Sequence, residues 1–215
     1  MAASSVIDPS PAHRAPRAPE ARPVTLLLVG RILGPHGDGL CRIRTVSAWG
    51  LTAEVRASFA IGEKVRIELR SGHALLGKID SAKPGMIDVR FDAPITDLKQ
   101  FLAGQRSGQR RPGSQMTRSP RLPADCSADI LVDGWHHHGV ATDISQNGVR
   151  LVTTAPLSRD KLLSVAIAGL PPLRAVVRWR AEDGAGVAFL DPLAFAVLAE
   201  WAEDPALRYN RRQGA

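Results

Sequence analysis

Asp143-Ile144-Ser145-Gln146-Asn147-Gly148 sets an acid, a hydroxyl and a glycine at a turn between two β-rich runs, with Arg118 and Arg121 upstream. This set of groups suits a guanine base and its phosphate. A carboxylate such as Asp143 accepts from the N1 hydrogen and amino group of guanine. An arginine fork meets O6 and N7, or a phosphate, in two parallel bonds, and also stacks on the base. Ser145 can add a neutral hydrogen bond, and Gly148 permits positive φ and a close backbone approach. Taken alone, the same six residues also describe an ordinary Asx or Ser turn closed by glycine. Their place in the chain has to decide.

That place comes from an internal repeat. Shifting the sequence by 98 residues superimposes Ser47 on Ser145, Gly50 on Gly148, Leu75 on Leu173, Val89 on Val187, Phe91 on Phe189 and Pro94 on Pro192 without a gap. The shared turn, β-rich middle and closing proline predict two copies of one fold. Each copy reads as short strands between turn signals, the pattern of a small all-β barrel or sandwich. In the first copy strands are expected over 24–33, 40–46, 51–56, 64–70, 74–81 and 86–91. In the second they are expected over 126–132, 139–144, 149–154, 162–167, 174–180 and 186–190, with Asp133-Gly134 and Asp183-Gly184 as turn pairs. Leu193, Val197 and Trp201, with Ala194 and Leu198, then give one face of a helix that Asp191-Pro192 would start. Asp97 to Leu102 reads as a shorter helix after the first copy.

The expected organisation is therefore a disordered tail over 1–21, a first barrel over 22–103, an arginine-rich linker over 104–117, a second barrel with its helix over 118–204, and a tail over 205–215. A chain of 215 residues accommodates two domains of ordinary size, and 44% apolar with 23% charged residues is globular composition. The net charge of +7 favours anionic partners. Five arginines (Arg106, Arg110, Arg111, Arg118, Arg121) and no acid lie between Gly104 and Arg121, so the excess concentrates in a Gly/Pro/Ser/Gln connector. A polymer binder would spread its cations over a folded face with interleaved aromatics, so a small phosphorylated ligand fits better than a nucleic-acid polymer.

Cys41 and Cys126 occupy non-equivalent positions of the two copies, which argues against a disulfide and for a reducing cytosol. The first 23 residues contain no apolar core of a signal peptide, and the uncharged runs are too short and broken to span a bilayer, so a soluble cytoplasmic protein is expected. His136-His137-His138 reads as an exposed hairpin tip rather than a metal site. Trp179 and Trp201 read as core or helix-packing residues before any ligand-stacking role. Trp49 could plug an empty pocket in the first copy, or be buried against a neighbour or partner. No nucleophile–base pair or metal shell can be assembled from these motifs, so no enzyme and no cofactor are expected.

Read together, the duplicated unit, the Asp143-x-Ser145-x-x-Gly148 turn, the stretch from Val176-Val177-Arg178-Trp179-Arg180 through Gly186-Val187-Ala188-Phe189, and the closing helix resemble a PilZ domain over residues 118–203. The resemblance implies an all-β fold with short helices. It would consist of two six-stranded barrels, each followed by a C-terminal helix, and the second would bind cyclic di-GMP. In that family an RxxxR pair precedes the first strand and a (D/N)xSxxG turn joins the second and third. The turn matches at each defining position. In the arginine motif Arg121 takes the second place, but Thr117 stands four residues earlier, with Arg118 three residues back. The implied ligand set is Arg118, Arg121, Asp143, Ser145 and Gly148, with Arg110 and Arg111 of the connector, which would order on binding. The first copy resembles a degenerate member, because its turn, Thr45-Val46-Ser47-Ala48-Trp49-Gly50, lacks the acid. The expected function is a cyclic di-GMP receptor or adaptor whose barrel arrangement or partner binding changes with ligand. The alternative is a protein-interaction adaptor that no longer binds nucleotide.

Overall fold

The computed structural model describes residues 23–107 and 119–211. Strands β1 (Val24–Gly34), β2 (Gly37–Val46), β3 (Gly50–Val55), β4 (Lys64–Leu69), β5 (Ala74–Lys83) and β6 (Met86–Phe91) close into a barrel in the order β1-β2-β3-β6-β5-β4, followed by helix α1 (Leu98–Ser107). Strands β7 (Leu122–Val132), β8 (Trp135–Ser145), β9 (Gly148–Thr153), β10 (Leu162–Ile167), β11 (Leu173–Ala181) and β12 (Gly184–Phe189) close a second barrel of the same order. Helices α2 (Phe195–Ala202) and α3 (Pro205–Arg208) follow it. The all-β, two-barrel expectation holds. None of the described helices is long and apolar enough to cross a membrane.

Alternation drives each strand inward on one face. In β7 it is Leu122, Ala124, Cys126, Ala128, Ile130 and Val132 that are buried, and closure leaves no sheet edge for another chain to pair with. The repeat extends to the hydrogen-bond register. Val24 faces Val46 as Leu122 faces Ile144, Leu51 faces Val89 as Val149 faces Val187, and Lys64 faces Lys78 as Leu162 faces Val176. Even the bulges repeat. Those between Thr25 and Leu28, Ile43 and Thr45, and Ile79 and Ser81 recur between Pro123 and Cys126, Ala141 and Asp143, and Val177 and Trp179.

Three local expectations are corrected. Asp191-Pro192 does not cap α2. The Leu193 N–H donates to the Gln146 carbonyl and its side chain enters the core, so the chain stays extended until Ala194, the N-cap. Phe195, Leu198, Ala199, Trp201 and Ala202 then form the buried face, while Ala194 and Val197 are exposed. Secondly, α1 runs past Leu102 to Ser107. Thirdly, the three histidines are not a hairpin tip. Asp133 and Gly134, at φ of 53° and 82°, turn the chain in two residues, and β8 continues through His136, His137 and His138. Among the described residues no cluster of His, Cys, Asp or Glu could hold a metal ion.

The barrels touch through β2 and the C-terminal helices. Leu40 joins the second barrel's core, and the Arg42 guanidinium lies 4.2 Å above the Phe195 ring. Both cysteines are free and buried, each in its own barrel.

Candidate ligand-binding site

The three bulges of the second barrel re-aim side chains around its outer wall, as bulges beside binding sites do. Beyond them, cross-strand pairing lays out one continuous row: Pro123 on β7 faces Asp143 on β8, Asp143 faces Arg150 on β9, Arg150 faces Gly186 on β12, and Gly186 faces Trp179 on β11. Arg121, immediately before β7, reaches along this row, and its Nη1 donates to Asp143 Oδ1. The arginine and the acid singled out in the sequence thus meet at the rim of the barrel.

At the far end of the row the Arg150 guanidinium lies 5.8 Å from the centre of the Trp179 ring. The indole rests over Gly186, where a Cβ would stand 2.1 Å from Trp179 Nε1. Glycine is what lets the ring lie flat on the wall. The sequence reading of Trp179 as a core residue is therefore corrected: it is half-buried and faces the site. Trp201 does pack inside, its Nε1 donating to the Ala168 carbonyl at 2.9 Å. Trp49 is 47% exposed.

A cavity of about 430 Å³ opens here, lined by Arg121, Ser145, Gly148, Trp179 and Gly186, and by Arg70 of the first barrel. Ser119, Asn147 and Arg178 complete its polar wall, so among the described residues three arginines and no carboxylate face it. Its volume falls in the ordinary range for small-molecule sites. Among the described residues, the buried side-chain atoms without a partner are Arg121 Nε at the cavity, Arg150 Nε on the adjoining row, Thr142 Oγ1 within the β8 bulge and, in the first barrel, Glu63 Oε2. Such unpaired donors are rare in folded proteins and call for an acceptor.

Ser145 and Gly148 serve the turn. The Ser145 hydroxyl, in a residue 3% exposed, donates to the Gly148 carbonyl at 3.2 Å and accepts from the Asn147 N–H at 3.4 Å. Ser47 makes the same pair of bonds, to Gly50 at 3.2 Å and from Trp49 at 3.3 Å. Gly148 is not among the residues at positive φ. It is required because a Cβ would stand 2.3 Å from the Val187 carbonyl oxygen, and at Gly50 the distance to Val89 is 2.4 Å. The serine and glycine therefore build the turn in both copies, and what differs is the row beside it. In the first barrel that row is Thr25, Thr45, Thr52, Asp88 and Ser81. Thr52 and Ser81 both donate to Asp88, and these bonds, Ser81's first, hold its carboxyl below the usual carboxylate range. The first barrel's row is polar, and its Thr52, Asp88 and Ser81 satisfy one another.

Of the sequence-derived candidates, the structure brings Arg121, Asp143, Ser145 and Gly148 together, with Asp143 behind Arg121 rather than lining the cavity. Arg110, Arg111 and Arg118, and Thr117 with them, lie outside the described residues. Sequence reasoning missed Arg70, Arg150, Trp179 and Gly186. The 98-residue offset carried a signal for the last two, since it sets Gly186 against Asp88 and Trp179 against Ser81.

Residues 115–200 match the family model of the PilZ domain. The second barrel is a PilZ domain. The solved structures similar to this chain include the Borreliella burgdorferi PlzA protein in complex with c-di-GMP. It is 14% identical, with 81% of this chain and 86% of that one covered at a TM-score of 0.38. The K. pneumonia MrkH–c-di-GMP complex is 15% identical over 80% and 84%, at a TM-score of 0.31. YcgR from Escherichia coli in complex with c-di-GMP is 12% identical over 78% and 76%, at 0.29. No curated protein matches the chain. The PilZ match lies in the second copy, where the Arg121–Asp143 pair is found.

Proposed function

We propose that this chain is a receptor for cyclic di-GMP, bound in the cavity of its PilZ barrel. The observation that carries the reading is the Arg121–Asp143 pair. The acid anchors one end of the guanidinium fork, and Nε is left without a partner beside the cavity. A fork fixed in this way loses little side-chain freedom when it meets guanine O6 and N7 or a phosphate. Asp143 stands behind the fork and positions it. Trp179 offers a face for a base to stack on, and Arg70 and Arg178 offer charge to phosphate. A ligand held by both Arg70 and Arg121 contacts both barrels, so binding changes how firmly they are held together, and that change is the output.

Isothermal titration of the purified chain with cyclic di-GMP tests the reading. Saturable heat that is strongly reduced in Arg121→Ala supports it. No heat at high ligand concentration, or an affinity unchanged from wild type in Arg121→Ala and Asp143→Ala, would overturn it.

Thr117, at the position where the family carries its first arginine, favours a second reading: an adaptor of the same architecture that binds protein and no nucleotide. A stable protein complex indifferent to cyclic di-GMP selects that one.

A further inference from the structure

The helices after the two barrels close them unequally. The seventh residue of α2 is Trp201, 2% exposed. Beside it, Leu207 covers Gly169 so closely that a Cβ there would stand 2.5 Å from the leucine and 3.1 Å from the indole. The seventh residue of α1 is Gly104, where a Cβ would meet nothing within 4 Å. The two helices correspond turn for turn. Phe101 N–H donates to the Asp97 carbonyl as Leu198 N–H does to Ala194, and the loops before them are anchored alike, Ile95 to Ala48 and Leu193 to Gln146. At the place filled by an indole in the second barrel, the first has a cavity of about 770 Å³ walled by Leu75, Phe91, Ile95 and Phe101.

We propose that this cavity is a docking site for a tryptophan side chain presented by a partner protein. The second barrel supplies the precedent: the same helix position, an indole, and an N–H given to a carbonyl. The rest of the wall suits a donor, because Asp92 and Asp97 line the cavity and, among the described residues, no lysine or arginine does. The stretches of sequence outside the described residues contain no Phe, Trp or Tyr, so they hold no aromatic plug of their own. A large ring seated in a concave apolar pocket is the usual anchor of a protein interface. The site is separate from the Arg121 cavity and independent of the nucleotide reading.

Fluorine NMR with N-acetyl-5-fluorotryptophan amide as the probe tests this on the full chain, with N-acetyl-leucine amide as competitor. Saturable binding of the fluorinated amide is expected, unaffected by the leucine amide. Gly104→Trp should weaken it by about tenfold or more, since the protein's own indole then fills the pocket. Gly104→Ala, which strengthens the helix but leaves the space open, should keep it. The proposal is overturned by any of three results: no saturation, equal binding in wild type and Gly104→Trp, or displacement by the leucine amide. It is equally overturned if the chain forms a dimer that Trp135→Ala abolishes, because the occupant is then the 73% exposed Trp135 of a second copy.

Discussion

Arg208, buried in the last helix, grips Asp38 of the first barrel: its Nη2 stands 2.7 Å from Oδ1 and its Nη1 donates to the Asp38 carbonyl at 3.0 Å. Its Nε donates to the Pro123 carbonyl at 2.6 Å, two residues along from Arg121. One side chain thus ties the first barrel to the strand that leads out of the ligand site. Removing one partner of a buried pair costs about 3–5 kcal/mol. Asp38 keeps Arg31 at 2.6 Å, so Arg208→Leu should destabilise by about 2–4 kcal/mol, read as a lower urea midpoint.

Near this pair, burial raises the pKa of Glu203, with Arg208 opposing and Asp38 adding to the rise. A carboxyl raised in the folded state favours folding below its unfolded pKa of about 4.3, and that contribution fades as pH climbs through the folded value. Glu203→Gln should therefore raise stability near neutral pH and leave it little changed near pH ~4. Urea titrations at the two pH values check the sign.

In the ligand site, Gly186→Ala should displace the indole of Trp179, because the added carbon would meet the far end of a movable ring rather than backbone. The fold should persist and the stacking face be lost. A loss of about 1–3 kcal/mol is expected for cyclic di-GMP, measured by calorimetry beside an unchanged circular dichroism spectrum.

Gly148→Ala and Gly50→Ala behave differently, since both carbons meet a backbone carbonyl that cannot turn away. Each should destabilise its barrel by about 1–3 kcal/mol. Because Gly50 serves a barrel without the Arg–Asp pair, its variant should lower the melting temperature and keep ligand affinity.

The thiols should be inert. Burial pushes Cys41 up to about 12 and Cys126 up to about 11, with Asp125 adding to the second. Iodoacetamide at mildly alkaline pH should leave the native protein unlabelled and modify both sites in urea. Labelling of either cysteine in the native protein would contradict their placement in the cores.

Most of the architecture was legible because strand alternation and the 98-residue repeat are local, additive signals: β4, β6 and β10 appear at the expected places. The acid–arginine pairing was legible because the turn motif fixes Asp143 and the strand start fixes Arg121. Trp179 was not. A bulge before it moves the indole to the outer row, and alternation read along β11 alone does not reveal a slip that exists only against β12. The start of α2 was missed for a similar reason, because burying Leu193 outweighs the capping offered by Asp191-Pro192. Gly104 reads in sequence as a linker glycine. Only its counterpart Trp201 shows what its missing side chain leaves open.

Two barrels with one shared register also pose a problem of partner choice during folding, since β5 could add to β12 as readily as to β6 on backbone geometry alone. The divergent rows prevent this. A hybrid seam would set Trp179 against the Asp88 carboxylate, or leave Ser81 facing Gly186 with no acceptor, whereas each native pairing satisfies both strands. The substitutions that separate the two rows thereby also serve as address labels that keep twelve like strands with their own kin.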